Sequence, residues 1–250
     1  MKKYVYSFIN NRAEGSADMK NLLGGKGANL AEMTNLSIPV PPGFTISTEV
    51  CVYFMKYKKV PPNLKKQVAL AIKNIESYMG QKFGDSKNPL LFSVRSGARE
   101  SMPGMMETVL NIGLNHKTAL GLIQKTKNPQ FVYDSLRRLL MMYADVVMEK
   151  ANSKFNVQNN GIRLQLEKIL NRVKRKTNCL HDSDLTVEAL MKLCNRFEHQ
   201  IEQTFHQPFP QDPAQQLWKS INAVLQSWNG KRAIDYRNIE HIPHTWGTAV

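Results

Sequence analysis

The apolar pattern of the chain changes at about residue 115, and this change constrains the fold more than any other feature. Before it, short runs typical of strands alternate with amphipathic stretches typical of helices. From there to about residue 205, almost every apolar residue recurs at helical spacing. The pattern predicts an α+β fold in which an all-helical subdomain, 116–205, is inserted between the two parts of an α/β subdomain, 1–115 and 206–250.

Within these parts, the sequence predicts strands at 4–8, 44–47 and 90–94 and helices at 28–36, 64–79, 164–173 and 190–201. Two further helices are expected to begin at Asn128-Pro129 and Asp212-Pro213, where a capping residue precedes a proline. Thr48 is expected to cap a helix that follows the second strand. The last residues, 245–250, resemble the beginning of a strand.

The charge balance is strongly basic, with 34 lysines and arginines against 20 acidic residues. Such an excess suits an anionic partner, although it does not choose among a nucleotide, a nucleic acid and an acidic protein. The densest basic run, 172–176, is typical of the solvated end of a helix. Because no aromatic residues are interleaved with it, a stacking surface for nucleic acid is not expected.

The cysteines and the apolar runs indicate a cytoplasmic protein. Three widely spaced cysteines without a C-x-x-C pair favour reduced thiols. The N-terminus has no apolar stretch of signal-peptide length, and no apolar run is long enough to span a bilayer, so we expect no membrane association.

The first segment that suggests chemistry is the glycine turn, defined as Gly24-Gly25-Lys26-Gly27, which directly precedes a predicted helix. Glycines allow backbone N–H groups to approach an anion, and a helix N-terminus adds partial positive charge. Lys26 can reach a phosphate oxygen as a point charge. The spacing differs from that of a P-loop. Alone, the segment is equally compatible with a tight turn before a helix.

The second segment begins with a predicted buried strand, which delivers Arg95 at its C-terminal end. Strand ends of this kind often lie at ligand sites, and the planar guanidinium can hold two phosphate oxygens. A loop with Gly104 and three methionines follows, which predicts a flexible apolar cover. Alone, Arg95 is also compatible with an ordinary ion pair. The methionines are Met102, Met105 and Met106.

Together the two segments closely resemble the N-terminal nucleotide-binding region of the pyruvate phosphate dikinase family. The match is nearly residue for residue over 22–33 and 93–111. Further matches occur in one continuous order along essentially the whole chain, at 41–45, 133–138, 182–186, 232–237 and 246–250.

The resemblance implies an ATP-grasp fold that clasps ATP between two lobes. It also implies a reaction in which a carrier histidine passes a phosphoryl group, so that ATP, phosphate and pyruvate become AMP, diphosphate and phosphoenolpyruvate. Lys26 and Arg95 would then be catalytic and bind phosphate. The residues implied to line the nucleotide site are Gly24, Gly25, Lys26, Arg95, Ser101, Gly104, Met105 and Thr108.

The family pattern also implies parts that this sequence lacks. The adenine pocket, the magnesium ligands, the carrier-histidine domain and the pyruvate domain are all expected beyond residue 250, so the nucleotide-binding subdomain is expected to be incomplete. No metal site is predicted within the chain, since His241 and His244 have a metal-like spacing but Pro243 lies between them.

Two interpretations remain open from the sequence. The first is a truncated or split dikinase that is inactive alone and needs a downstream chain carrying the missing lobe and domains. The second is a non-catalytic basic module that binds a nucleotide, a nucleic acid or a protein partner.

Overall fold

The computed structural model describes residues 2–151 and 161–250, which divide into two compact units. The first unit contains the residues up to Gln81, together with Arg95–Thr108 and Val224–Val250. The second contains Lys82–Val94 and Val109–Ala223. The predicted helical subdomain, 116–205, belongs to the second unit, which also takes in flanking segments. The assignment of the two predicted subdomains stays a prediction.

Short strands form the framework of the first unit. Three of them pair antiparallel in the order β2-β1-β3, and another two, β7 and β9, pair antiparallel with each other. Val250 extends β9 alongside β3, since its backbone N–H and carbonyl both bond to Ile46 at 2.9 and 2.7 Å. These strands are β1 (Val5–Ile9), β2 (Arg12–Ala13), β3 (Gly43–Ile46), β7 (Gly97–Ala98) and β9 (Thr248–Ala249).

The helices of the first unit follow from its apolar periodicity. In α3, Leu64, Val68 and Ile75 recur at helical spacing and are buried, and the helix ends at Gly80 in a left-handed conformation. The prediction of a helix at 64–79 is confirmed. The helices are α1 (Lys20–Asn35), α2 (Thr48–Tyr57), α3 (Leu64–Met79) and α9 (Lys231–Ile239).

The second unit is mostly helical. Asn128 caps α5 by accepting a hydrogen bond from the backbone N–H of Phe131 at 3.0 Å, and Asp212 accepts one from Ala214 at 3.0 Å at the start of α8. Both predicted helix starts are confirmed. The elements are β4 (Lys82–Phe83), β5 (Pro89–Leu90), β6 (Phe92–Arg95), β8 (Thr108–Ile112), α4 (His116–Thr126), α5 (Pro129–Tyr143), a π-helical continuation (Ala144–Lys150), α6 (Ile162–Lys176), α7 (Val187–Phe205) and α8 (Pro213–Ser227). Of these, β6, β8 and α8 reach into the first unit with Arg95, Thr108 and residues 224–227.

The α+β class predicted from the sequence is confirmed, while three local predictions need correction. The strand expected at 90–94 is two strands, because β5 pairs with β4 and β6 pairs with β8. Thr48 does not cap α2: it is the first helical residue, and its hydroxyl donates to the carbonyl of Asn21 at 2.8 Å. The helix expected at 28–36 starts earlier, directly after a kink at Gly24, and a short helical stretch from Lys20 precedes that kink within α1. Among the described residues, no helix is long and apolar enough to cross a bilayer.

An ion network in the second unit uses part of the predicted basic run. The Arg137 side chain is only 4% exposed and contacts Asp134 at 2.7 Å and Asp182 at 3.2 Å. Lys174 contacts Asp182 at 3.0 Å. Burial alone would raise the pKa of Asp182, but the Lys174 hydrogen bond and the Arg137 charge outweigh it and hold that pKa below its ordinary value.

We expect Asp182→Asn to lower the stability of the second unit at neutral pH by up to about 1 kcal/mol, since the pair is partly exposed. Because the folded pKa of Asp182 is lowered, its contribution is present above about pH 4 and is lost as the pH falls further. Urea unfolding at several pH values measures this difference. Glu202→Gln, an exposed change in α7, is the control, and a difference that persists at the lowest pH would contradict the account.

Candidate phosphate-binding site

The glycine turn is a break within α1. Gly24 has φ 68° and ψ 168°, values outside the helical region, and the helix resumes after it. The resumed stretch therefore has its own N-terminus at Gly25 and Lys26, where backbone N–H groups lack helical partners. This is the geometry that the sequence predicted for an anion-binding turn, and it is formed inside a helix.

The glycine turn lies directly against strand β7. A methyl group on Gly24 would overlap the carbonyl oxygen of Gly97, and one on Gly25 would lie 3.4 Å from the carbonyl oxygen of Arg99. A side chain at Gly24 would therefore be strained by its positive φ and would also collide with backbone. Gly24 therefore allows the two main chains to come closer than any other residue type permits, whereas a methyl group on Gly25 would make an ordinary contact.

The side chain of Lys26 crosses to the end of strand β6. Its Nζ donates a hydrogen bond to the carbonyl oxygen of Ser96 at 3.0 Å, and Ser96 directly follows Arg95. The Arg95 side chain is exposed, and none of the described residues forms a hydrogen bond or ion pair with it. The structure thus places Lys26 Nζ against the peptide group that directly follows Arg95. Their roles in binding and catalysis stay a prediction.

The loop that follows Arg95 carries the other predicted site residues. Ser101 and Gly104 are exposed, and Gly104 has φ 72° with open space around it. Met105 and Thr108 are half-buried, whereas Met102 is buried. The expectation of an apolar cover by three methionines therefore applies to at most two of them, because Met102 packs inward.

The far end of this loop is fastened to the C-terminal part of the first unit. The Glu107 carboxylate contacts Arg232 at 3.0 Å, and the Glu107 backbone N–H lies 3.5 Å from the Ser227 hydroxyl. The Met106 sulfur lies 3.9 Å from the same hydroxyl. The loop is thus held at both ends, by β7 and by this contact, and Gly104 lies in a turn that the Met105 N–H closes on the Met102 carbonyl at 3.2 Å.

One residue that the sequence did not single out belongs to the same surroundings. The guanidinium carbon of Arg99 lies 5.1 Å from the centre of the Trp246 ring, and its Nη1 donates to the Asn21 side chain at 3.4 Å. Burial lowers the pKa of Arg99. Arg99, Trp246 and Asn21 all fall within, or at the edge of, the segments that resemble the dikinase family, and this was their only signal in the sequence. Their contacts could not be predicted, because they join parts of the chain that are far apart in sequence.

His244 has a structural environment. Its Nδ1 accepts a hydrogen bond from Arg237 Nε at 3.0 Å, and its Nε2 lies 3.0 Å from the Asn238 amide oxygen. Arg237 is 1% exposed and stacks over Trp228 at 4.0 Å. Both ring nitrogens of His244 are therefore engaged. Among residues 2–151 and 161–250, no group of three or more potential metal ligands is present.

Comparison with known proteins identifies relatives of the whole chain. The family model described as "Pyruvate phosphate dikinase, AMP/ATP-binding domain" matches residues 20–69 and 59–250. The pyruvate, phosphate dikinase of Clostridium symbiosum is 46% identical over 100% of this chain, and that of Rhizobium meliloti is 45% identical over 100%. Pyruvate, phosphate dikinase 2 of Zea mays is 43% identical over 98%. The chain spans 27% of the length of each of these relatives.

We expect Gly24→Ala to destabilise the first unit by more than about 1–3 kcal/mol, the cost of a sparsely populated backbone conformation alone. Its φ 68° and ψ 168° form a combination that is essentially restricted to glycine, and the added methyl would also collide with the carbonyl oxygen of Gly97. Gly80→Ala is the control, because Gly80 lies in the left-handed helical region, with φ 61° and ψ 26°, and has nothing within 4 Å of the added methyl. Urea unfolding compares the two, and equal losses would refute the close approach.

Proposed function

Since this chain belongs to the pyruvate phosphate dikinase AMP/ATP-binding domain family, we propose that it is the ATP-binding part of a dikinase of the ATP-grasp type. Its site is the glycine turn together with the end of strand β6. The observation that carries the proposal is the hydrogen bond from Lys26 Nζ to the carbonyl of Ser96 at 3.0 Å, which joins the turn to the peptide beside Arg95.

In this proposal, Lys26 and Arg95 contact the phosphates and compensate the negative charge that spreads over the transferred group. Phosphoryl transfer depends mainly on positioning and on electrostatic stabilisation, and two cations beside a helix N-terminus supply both. Gly24 and Gly25 let the backbone approach the anion. Lys26 would exchange its carbonyl acceptor for a phosphate oxygen, a charge-assisted and therefore stronger bond.

The loop after Arg95 would cover the nucleotide. Ser101 can donate a hydroxyl hydrogen bond, and Met105 offers an adaptable apolar surface. Gly104, with its positive φ and open surroundings, allows the turn from Met102 to Met105 and leaves room for the nucleotide beside the backbone. Thr108, at the start of β8, is the last of these proposed contacts.

The proposed overall reaction converts ATP, phosphate and pyruvate to AMP, diphosphate and phosphoenolpyruvate through a carrier histidine. The relatives are much longer than this chain, which covers 27% of them. We therefore propose that residues 1–250 bind ATP but do not complete the reaction without further domains.

Magnesium accompanies ATP in this chemistry. The described residues include no group of three or more potential metal ligands, and no metal step is assigned to them. A cytoplasmic location is part of the same proposal.

Calorimetric titration of the chain with ATP tests the site. We expect Lys26→Met and Arg95→Met each to weaken ATP binding by about tenfold or more, because each removes a hydrogen bond to a charged group. Lys66→Met, an exposed change in α3, is the control and should bind as the unchanged chain does. ATP affinity unaffected in both site variants would exclude this location. Tight, salt-sensitive nucleic-acid binding that survives Lys26→Met would favour a basic binding module instead.

A second experiment tests the limit on activity. We expect the purified chain to form no AMP when supplied with ATP, magnesium, phosphate and pyruvate, since a carrier histidine and a pyruvate site are required. Chromatographic separation of the nucleotides measures AMP directly. Production of AMP together with phosphoenolpyruvate by this chain alone would overturn the proposed division of the reaction.

A further inference from the structure

Arg95 precedes strand β7 in the sequence and Arg99 directly follows it. The main chain at Arg99 lies against the glycine turn. A methyl group on Gly25 would lie 3.4 Å from the Arg99 carbonyl oxygen. Strand β7 places the next residue, Arg99, beside β9 and so beside Trp246, because Ala98 pairs with Thr248. The Arg99 guanidinium carbon lies 5.1 Å from the centre of the Trp246 ring.

The guanidinium is poorly satisfied for a group with five donors. Its one hydrogen bond goes to a neutral acceptor, the Asn21 amide oxygen, at 3.4 Å, and no described carboxylate contacts it. The Arg99 Nε is buried and has no hydrogen-bond partner. A buried polar atom without a partner costs free energy, which shows that the surrounding protein does not satisfy this side chain. The side chain as a whole is only half-buried, so an arriving acceptor would bond to its Nη groups.

Two other arginines of the first unit differ from Arg99 in how their donors are used. Arg232 contacts the Glu107 carboxylate at 3.0 Å, and the buried Arg237 bonds to His244 at 3.0 Å and to the Trp228 carbonyl at 2.6 Å. Both use their donors within the protein. Arg99 also stacks on an aromatic ring, as Arg237 does, but its donors are largely unused.

We infer that Arg99, supported by Trp246, is a third cationic contact for the polyphosphate group of the nucleotide, beside Lys26 and Arg95. This inference rests on the proposed function, since it assigns a further residue to the same site. The ligand chemistry is that of linked phosphates, whose several oxygens match the planar donor edge of a guanidinium. Stacking on Trp246 restricts the side chain before the anion arrives and reduces the entropy lost on binding.

Inorganic tripolyphosphate is the probe that isolates this contact, because it lacks the base and the ribose. We expect Arg99→Met to weaken tripolyphosphate binding by about tenfold or more, as calorimetry measures it. Arg99→Lys should restore only part of the affinity, because a point charge cannot reproduce the planar contact. Arg12→Met, an exposed change of equal charge on β2, is the control and should leave affinity unchanged.

The outcomes separate this inference from the proposed function. If Arg99→Met binds tripolyphosphate as the unchanged chain does while Lys26→Met binds poorly, the role of Arg99 is refuted and the phosphate site stands. If the unchanged chain binds neither tripolyphosphate nor ATP, both fail. Thermal melting checks that each variant is folded. If Arg99→Met does not fold, Arg99→Gln takes its place, because glutamine is neutral but can still donate a hydrogen bond to Asn21.

A structural role for Arg99 predicts a different pattern. If the role of Arg99 is only structural, Arg99→Met melts at a lower temperature, but the folded variant binds tripolyphosphate as tightly as the unchanged chain. That result would overturn the inference. Tryptophan emission gives a second readout: tripolyphosphate should change it in the unchanged chain and not in Trp246→Phe. An equal emission change in Trp246→Phe would show that the anion does not act at this pair.

Discussion

The close approach of the glycine turn to strand β7 is the constraint on which the site depends. Gly24 breaks α1 and lies so near the carbonyl of Gly97 that no side chain fits between them. This approach brings Lys26 within 3.0 Å of the carbonyl of Ser96. Because β7 also pairs with β9, the same contact links the N-terminal helix to the last residues of the chain.

Three cations of the first unit, Lys26, Arg95 and Arg99, have no carboxylate partner among the residues that the structure describes, whereas Arg232 does. Arg95 precedes strand β7 and Arg99 follows it, and Lys26 bonds to the carbonyl of Ser96 between them. Cations without a carboxylate partner keep their donors available for an anion. The glycine turn contributes a helix N-terminus to the same place. The arrangement favours a ligand with several negative oxygens, which agrees with the membership of an AMP/ATP-binding domain family.

Features that depend on local apolar periodicity could be predicted from the sequence, whereas contacts between distant parts of the chain could not. The helix at 64–79 could be predicted from its apolar spacing and its terminal Gly80. The division between β5 and β6 could not, because it depends on different partners in the fold. Likewise, the break at Gly24 could be predicted from its glycines, whereas the short helical stretch from Lys20 that precedes it could not. The contact of Arg99 with Trp246 could not be predicted, since the two residues are remote in the chain.

Nuclear magnetic resonance of the chain during an ATP titration tests the central claim most directly, namely that the glycine turn and the end of strand β6 form one site. The account predicts that the backbone amide signals of Gly25, Lys26 and Gly27 shift together with those of Ser96 and Arg99, with one shared dissociation constant. Shifts confined to other regions, such as the basic run 172–176, or different dissociation constants for the two segments, would contradict it.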